Sequence, residues 1–422
     1  MRFRAVQARV YAADLLGAGL GAAGMIVLLF LVPPATALRI VALLGFAAAA
    51  AVWIECRGRR REVLIGLPLA LLSLYALPGA LTEPLISPYK SLSQLLRVPG
   101  PQVLAERHSP LGTVSVVEST TVPLRHAPGL SLNATTEPPE QLALFIDGGG
   151  LSAITRFAGD RADLVYLDYL TSALPYHLRA RGKVLVLGAG GGSAILQALY
   201  HEAKRVDAVE INPQVVELLR HRFAAFSGGI YDRAGVSVQV DDARGFLQRS
   251  NERYDLIQFP VLDSGAAAAG VHGLNENYLF TVEALQQALQ RLDDGGYIAL
   301  TSAIQLPPRD SLKLFAGAIA ALESLGADRI ERRLALIRGW QTSTLLIKNG
   351  ELGAAEIHSL RAFCRQRSFD LAWYPGMTAD QANRYNRFEA AYFYDGARAL
   401  LGNQRDRFLR DYKFHLQPAT DD

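Results

Sequence analysis

A glycine-rich turn, followed at a set distance by a carboxylate, is the stretch whose residue types are best suited to ligand chemistry. The turn contains Gly188, Gly190 and Gly191 and follows a short apolar run that predicts a strand buried on both faces. The next predicted strand, Arg205–Glu210, ends on Glu210 about 20 residues later. Glycines let a ligand approach the backbone, and a carboxylate here can accept hydrogen bonds from two ribose hydroxyls. The pattern predicts a nucleoside site at the carboxyl ends of the strands.

The turn alone does not decide which nucleoside is bound. Ser193, which we expect to cap the following helix, stands where the dinucleotide fingerprint has glycine or alanine. This argues mildly against NAD. The choice between NAD and S-adenosylmethionine (SAM) or its relatives therefore depends on the rest of the chain.

Two further acids follow later predicted strands. Asp242 and Ala243 come directly after Val236–Val240, and Asp263 lies in the loop after Tyr254–Pro260. An acid after the third strand is well placed to accept from an adenine amino group, and we assign Asp242 this role. Asp263 is kept as a candidate site residue.

Three more candidates precede the glycine turn. Asp147 lies in the segment FIDGGG, where a plain turn former is the simpler interpretation. The segment Leu164–Leu178 is predicted to be one amphipathic helix. Tyr166 at such spacing is typical of a core residue, whereas Asp168 lies among apolar residues and is a candidate site residue.

The element order predicts an α/β fold. Strands and helices alternate after Lys183, and a terminal hairpin of Arg333–Ile337 with Ser343–Lys348 completes a seven-stranded, doubly wound, Rossmann-like SAM-binding sheet. Val103–Thr155 predicts a small β-rich subdomain before that sheet. We divide the chain into four regions: membrane helices (1–86), linker and β subdomain (87–155), Rossmann-like domain (156–350) and C-terminal helical extension (351–422).

Three apolar stretches predict membrane spans. Leu15–Val32, Ile40–Ile54 and Val63–Thr82 carry no charged side chain, and about 20 residues of helix cross a hydrocarbon core of ~30 Å. Arginines precede the first stretch and separate the second from the third, which places both clusters on the cytoplasmic side. We expect a multi-pass protein of the bacterial inner membrane, in contact with lipid.

Composition excludes other classes. The net charge is +3, and we find no basic stripe interleaved with aromatic residues, so nucleic acid is not a predicted partner. Cys56 and Cys364 are too far apart for a disulfide framework or zinc site, and the eight histidines show no ligand spacing. We therefore predict no metal.

From about Ser87 onward the chain resembles spermidine synthases, the polyamine aminopropyltransferases, and in particular bacterial membrane proteins that carry a spermidine-synthase-like domain. Six motifs of the family have counterparts here in the same order. LDG corresponds to Ile146-Asp147-Gly148, Tyr-His/Gln-Glu to Tyr166-Leu167-Asp168, and GGGDGG to Gly188 through Ser193. VEID corresponds to Val209-Glu210-Ile211-Asn212, DG to Asp242-Ala243, and YDVIxxDSSDP to Tyr254 through Ser264. The resemblance implies decarboxylated SAM as the aminopropyl donor and a polyamine or other amine as the acceptor.

The departures from the family pattern concern chemistry. The family's proton-accepting first Asp of DSSD is Pro260 here, while Asp263 matches the second Asp. The glycine-loop Asp, which in the family disfavours intact SAM, is Gly191, and the family's His/Gln is Leu167. The loss of that carboxylate predicts weaker discrimination against SAM.

Three functions therefore stay open. The first is a membrane-tethered aminopropyltransferase in which Glu210 and Asp242 hold the nucleoside and Tyr166, Asp168 and Asp263 hold the amine. The second is a SAM-dependent methyltransferase on the same scaffold, favoured by Gly191. The third is a non-catalytic nucleoside-binding module of a membrane transporter, favoured by Pro260. The resemblance also implies a homodimer and further membrane helices that this chain lacks.

Overall fold

The computed structural model describes residues 7–57, 68, 86–178, 182–262 and 278–422. Asp263 and the loop that contains it lie outside these residues. So does the third apolar stretch, Val63–Thr82, apart from Pro68.

Two long apolar helices begin the described chain. Helix α1 is Gln7–Leu31 and α2 is Pro34–Arg57, with Pro34 at a first position where its missing N–H costs no hydrogen bond. Segments of 24 and 22 residues within them are long and apolar enough to cross a membrane, and almost none of their surface is buried by the protein. This assignment rests on the length and composition of the two helices, both of which lie near the N-terminus.

A four-stranded antiparallel sheet follows the short helix α3 (Ser91–Leu95). Its strands are, in spatial order, β1 (Pro101–Ser109), β2 (Gly112–Ser119), β3 (Gln141–Ile146) and β4 (Gly149–Thr155). Leu92 of α3 packs on one face of this sheet. The other face joins the main core, so β4 is held against the larger domain.

The main sheet is mixed and has eight strands in the order β12-β10-β11-β9-β8-β5-β6-β7. Its strands are β5 (Lys183–Leu187), β6 (Arg205–Glu210), β7 (Val236–Val240), β8 (Tyr254–Leu262), β9 (Leu292–Ala303), β10 (Leu334–Arg338), β11 (Thr342–Lys348) and β12 (Asp370–Trp373). Strands β5 to β9 pair in parallel, and β10 to β12 add antiparallel.

The predicted Rossmann-like α/β fold is confirmed, but its strand count differs. Seven strands were expected, and the eighth is β12, which comes from the region expected to be helical. Leu371 and Trp373 of β12 pair with β10 at the sheet edge. A four-residue strand is too short for alternation to distinguish it from a loop.

Helices cover both faces of the sheet. They are α4 (Leu174–Leu178), α5 (Ser193–Tyr200), α6 (Pro213–Glu217), α7 (Ala224–Ser227), α8 (Ala243–Arg249), α9 (Val282–Gln290), α10 (Asp310–Ser324), α11 (Ala354–Gln366), α12 (Tyr392–Leu401) and α13 (Arg405–Asp411). Alternate residues of β5 face opposite layers: Val184 and Val186 belong to one core, and Leu185 and Leu187 to the other. Both faces of β5 are thus buried, as its uninterrupted apolar sequence predicts.

Two local predictions are wrong. The N-cap of α5 is Gly192, in the left-handed region at φ 92°, and Ser193 is the first helical residue. The segment Leu164–Leu178 is not one helix but a 3₁₀ helix over Arg161–Tyr169, a second over Thr171–Ala173, and then α4. Extended Leu170 separates the first two, and a new helix starts beside Pro175, which is tolerated only in a first turn.

Candidate active site

The glycine turn closes tightly between β5 and α5. Gly188, Gly190 and Gly192 have φ of 99°, 50° and 92°, values that side chains disfavour. The N–H groups of Gly188 and Ala189 both donate to the carbonyl of Val209 on β6, at 2.9 and 3.0 Å. The turn is therefore held at the carboxyl ends of two adjacent parallel strands, where α/β folds bind ligands.

Glu210 is buried beside this turn and is 5% exposed. Its Oε2 accepts from the N–H of Gly190 and its Oε1 from the N–H of Asn212, each at 2.9 Å. Burial raises the pKa of the Glu210 carboxyl above its ordinary 4.5, against the opposing effect of these N–H groups. Each oxygen keeps lone pairs that can accept from ribose hydroxyls.

Gly191 has no room for a side chain. A Cβ there would stand 2.2 Å from the carbonyl oxygen of Ala153 on β4. The N–H of Gly191 donates to Ser152 Oγ at 2.8 Å, which fixes the turn on the small sheet. The position where the family has an acid is thus filled by the backbone of β4, and Ser152 is a residue that the sequence analysis missed.

Tyr231 supports the turn from the other side and was also missed. Its hydroxyl donates to the carbonyl of Gly190 at 2.6 Å, and burial raises the pKa of Tyr231 far above its usual range. Neither Tyr231 nor Ser152 lies in a motif. Their contacts to the turn span 41 and 39 residues of sequence.

Asp242 and Ala243 lie at the start of α8, after β7. Asp242 is exposed and caps that helix, because its Oδ1 accepts from the N–H of Gly245 at 2.7 Å. The backbone N–H of neighbouring Asp241 donates to the carbonyl of Glu210 at 3.1 Å. The structure therefore brings Asp242 to the same sheet edge as Glu210, with its second carboxylate oxygen available.

Asp147 occupies the tip of the β3–β4 hairpin. It has a φ of 49°, and its Oδ1 accepts from the N–H of Thr113 at 2.8 Å. The side chain of Lys90 donates to the Asp147 carbonyl at 2.6 Å. These contacts belong to a turn former, and none of them reaches the glycine turn.

Tyr166 lies in the core and is 1% exposed. Its hydroxyl is 3.4 Å from Thr155 Oγ1, and burial raises the pKa of Tyr166 to about 12. The structure does not bring its hydroxyl to Glu210 or to the turn. The expectation that Tyr166 holds an amine is not supported by this placement.

Asp168 lies at the far end of α5 from the glycine turn. Its Oδ1 is 2.5 Å from His177 Nε2 and 3.3 Å from His201 Nε2, and Arg367 binds its Oδ2. His201 follows the C-terminal end of α5, whose eight residues span about 12 Å. Burial raises the pKa of Asp168, but His177 and Arg367 outweigh it and lower that pKa to about 2. Asp168 is thus separated from Glu210 rather than paired with it.

The cluster of Asp168, His177 and His201 is the one group of potential metal ligands found among the described residues, with donor atoms within 4.8 Å of one another. The guanidinium of Arg367 binds the same carboxylate and would repel a cation. We assign no metal there, and the absence of a metal site stays a prediction.

Strand β8 leads toward the predicted base. A chain of buried amides fixes it: Tyr176 donates to Gln258 at 2.9 Å, Gln258 to Gln197 at 2.8 Å, and Gln197 to the Leu167 carbonyl at 2.8 Å. Pro260 is half-buried two residues after Gln258. Asp263 lies beyond, outside the described residues.

Comparison with known proteins shows what the Rossmann-like domain is similar to. Residues 165–312 match the family model of the spermine/spermidine synthase domain. The polyamine aminopropyltransferase of Thermoplasma volcanium is 29% identical over 157 residues, 37% of this chain and 54% of the relative. That of Pectobacterium atrosepticum is 27% identical over 147 residues, 34% and 48% of the two chains. The chain spans about half the length of the curated relatives it matches.

A probable spermidine synthase structure from Corynebacterium glutamicum aligns with a TM-score of 0.43 at 16% identity, covering 64% of this chain and 87% of that one. The family model and the curated relatives confirm the resemblance to the spermidine synthase family, over residues 165–312 of this chain.

The contact between β4 and the glycine turn predicts the effect of a methyl group at residue 191. We expect Gly191→Ala to lower the free energy of unfolding by about 1–3 kcal/mol, because the Ala153 carbonyl must move. Gly149→Ala is the matched control, since its Cβ would meet nothing closer than 3.9 Å. Thermal unfolding measures both. Equal stability of the two variants would contradict the close approach of β4.

Asp168→Asn is expected to lower the free energy of unfolding by about 3 kcal/mol, because Arg367 loses its buried counter-charge. The affinity for a bound nucleoside should stay unchanged. The exposed Asp163→Asn in the same 3₁₀ helix is the control and should alter neither. Loss of nucleoside affinity with unchanged stability in Asp168→Asn would place Asp168 in the binding site instead.

The raised pKa of Glu210 predicts a pH-dependent affinity for a nucleoside. The ionised carboxylate accepts from ribose hydroxyls, so affinity should fall on acidification while the pH is still above 4.5. An acid with a raised pKa favours the folded state when protonated, so unfolding of the ligand-free protein does not cause this loss. Calorimetric titrations across pH check it, and Glu210→Gln should remove the dependence. A dependence that persists in Glu210→Gln would assign the titration to another group.

Proposed function

We propose that this protein is a membrane-anchored aminopropyltransferase, which uses decarboxylated SAM as donor and a polyamine as acceptor. The observation that carries the proposal is the buried carboxylate of Glu210 beside the glycine turn, within a spermine/spermidine synthase domain. The relatives that match this domain are named polyamine aminopropyltransferases.

The donor is proposed to lie along the carboxyl ends of β5, β6 and β7. Glu210 accepts from the ribose hydroxyls, and Asp242 with the backbone of Ala243 contacts the adenine. Gly188 leaves the backbone open to the ligand, since a Cβ there would meet nothing within 4 Å, while Gly190 and Gly191 fix the turn through Glu210 and Ser152. Asp147 stays at its hairpin tip and is not included, because its carboxylate is already bound to Thr113.

The donor supplies a carbon atom made electrophilic by the adjoining sulfonium. The amine nitrogen forms a bond to that carbon while the carbon–sulfur bond breaks, and the electron pair goes to sulfur, which leaves as a neutral thioether. The amine must also lose a proton. Pro260 cannot take it, so we assign this proton to Asp263, the next acid along the chain. Tyr166 and Asp168 are left out, because Tyr166 is buried in the core and Asp168 forms an ion pair with Arg367.

Anchoring to the membrane is proposed from α1 and α2. Both are uncharged over most of their length and expose large apolar side chains such as Leu16, Leu20 and Leu44. With the third apolar stretch they form the proposed multi-pass anchor in a bacterial cytoplasmic membrane. Lipid is proposed only as the environment of the anchor, because the proposed acceptor is a cationic polyamine and not a lipid.

Methyl transfer from SAM is the second candidate, and the observation that favours it is at Gly191. An acid there would repel the carboxylate of SAM, but the Ala153 carbonyl leaves no space for one. This pocket therefore lacks the charge that the family uses against SAM.

Product analysis with putrescine as acceptor tests the proposal. Full-length protein in detergent should release methylthioadenosine from decarboxylated SAM, and Asp263→Asn should lower kcat by 10²–10⁴, as expected for a lost base. Asp163→Asn is the control variant. The donor's KM should change little in Asp263→Asn, since the residue acts on the amine.

A rate within about twofold of wild type in Asp263→Asn would refute the assignment of the base. Transfer of a methyl group from SAM without any aminopropyl product would replace the proposed reaction by the second candidate. Nucleoside binding without either product would support the non-catalytic module instead.

A further inference from the structure

We propose that a cleft at the edge of the main sheet, away from the glycine turn, binds a phosphate-bearing ligand. The cleft has a volume of about 100 Å³ and lies between α11, β12 and the segment after it. Arg361 and Arg365 of α11 line one side, and Arg384 and Tyr385 line the other. Sites for drug-sized molecules are about 300–1,000 Å³, so this cleft would enclose a single small group of a ligand rather than a whole large molecule.

The three guanidinium groups in this cleft have no acidic partner among the described residues. Two other exposed arginines do have one: Arg329 and Arg332 pair with Glu351, at 3.2 and 3.0 Å. Arg361, Arg365 and Arg384 take part in no such ion pair within the described residues, and all three are exposed. Three positive charges therefore face one cavity without a counter-charge from those residues.

The acid nearest to the cleft is already neutralised. Asp370 lines it but is fully buried, and it forms an ion pair with buried Arg338 at 3.2 Å. Its carboxylate also accepts from the backbone N–H groups of Arg384, Tyr385 and Asn386. The charge of Asp370 is thus neutralised inside the protein, and the guanidinium groups stay available to a ligand.

The same contacts make the site rigid before a ligand arrives. Three successive backbone N–H groups bound to one buried carboxylate hold the loop that carries Arg384 and Tyr385. Arg361 and Arg365 lie one turn apart on α11, where like charges repel by a few tenths of a kcal/mol. An anion between them would remove this repulsion. A preorganised site loses less entropy on binding.

The chemistry of the donors points to phosphate. Guanidinium groups offer paired N–H donors that match phosphate oxygens, and three of them suit a dianion with three acceptor oxygens better than one carboxylate. The ring of Tyr385, 44% exposed, offers a flat apolar surface beside them. The ligand class is therefore a phosphate monoester, a diphosphate or a phosphorylated headgroup.

This cleft is independent of the nucleoside site. Strand β12 is five interstrand spacings from β5 in the sheet, about 24 Å. No residue of the cleft belongs to the glycine turn, Glu210 or Asp242. The inference therefore does not rest on the proposed reaction.

Calorimetry on the full-length protein in detergent, in about 0.15 M salt, tests the inference. Inorganic pyrophosphate is the probe for a free phosphate ligand, and glycerol 3-phosphate, a soluble monoester, is the probe for a phosphorylated lipid headgroup. We expect saturable binding of one molecule per chain by at least one probe. The tighter probe identifies the source of the phosphate.

Two cleft variants, Arg361→Gln/Arg365→Gln and Arg384→Gln, should each weaken that binding by at least about tenfold. Arg410→Gln removes an exposed arginine of α13 outside the cleft and should leave it unchanged. Unchanged nucleoside binding in each variant shows that the fold is intact. The inference would be overturned if neither probe shows saturable binding. It would also be overturned if Arg410→Gln loses as much affinity as the cleft variants, or if both cleft variants bind the probe as tightly as wild type.

Discussion

The buried carboxylate of Glu210 is the contact on which the geometry of the candidate site depends. It accepts one N–H from the glycine turn and one from its own strand end, so it joins β5 and β6 at the sheet edge where a ligand would lie. A buried carboxylate without donors is costly, and its two backbone donors offset part of that cost. The raised pKa of Glu210 reflects the rest. Ribose hydroxyls would supply the further donors that this carboxylate can use.

The small sheet has a direct effect on the chemistry of the turn. Because β4 brings the Ala153 carbonyl to within 2.2 Å of a Cβ at residue 191, that position must be glycine in this backbone. Selectivity between SAM and decarboxylated SAM cannot then come from an acid at residue 191. It must come from groups elsewhere. Strand β8 holds a second departure from the pattern of the family that this chain resembles, at Pro260, and the proposed proton transfer is for that reason assigned to Asp263.

The parts of the site that the sequence predicted are those encoded locally. The apolar run of β5, the glycines and the acid at the end of β6 all lie within one βαβ unit, whose geometry follows from short-range pattern. The surroundings of Asp168 could not be predicted, because its partner Arg367 lies 199 residues away and no spacing rule connects them. Ser152 and β12 were missed for the same reason, since each is defined by pairing with a distant element. Long-range packing accounts for these differences, whereas the N-cap of α5 differs for a local reason, the left-handed backbone conformation of Gly192.

The central claim is that the turn and Glu210 form a pocket for a SAM-type nucleoside, and calorimetric binding of decarboxylated SAM, SAM and NAD to one preparation tests it most directly. The account predicts that decarboxylated SAM and SAM both bind, with NAD much weaker, and that Glu210→Ala abolishes both interactions. Comparable affinities for decarboxylated SAM and SAM would agree with the absence of an acid at residue 191. Preferential binding of NAD, or unchanged affinity in Glu210→Ala, would contradict the account.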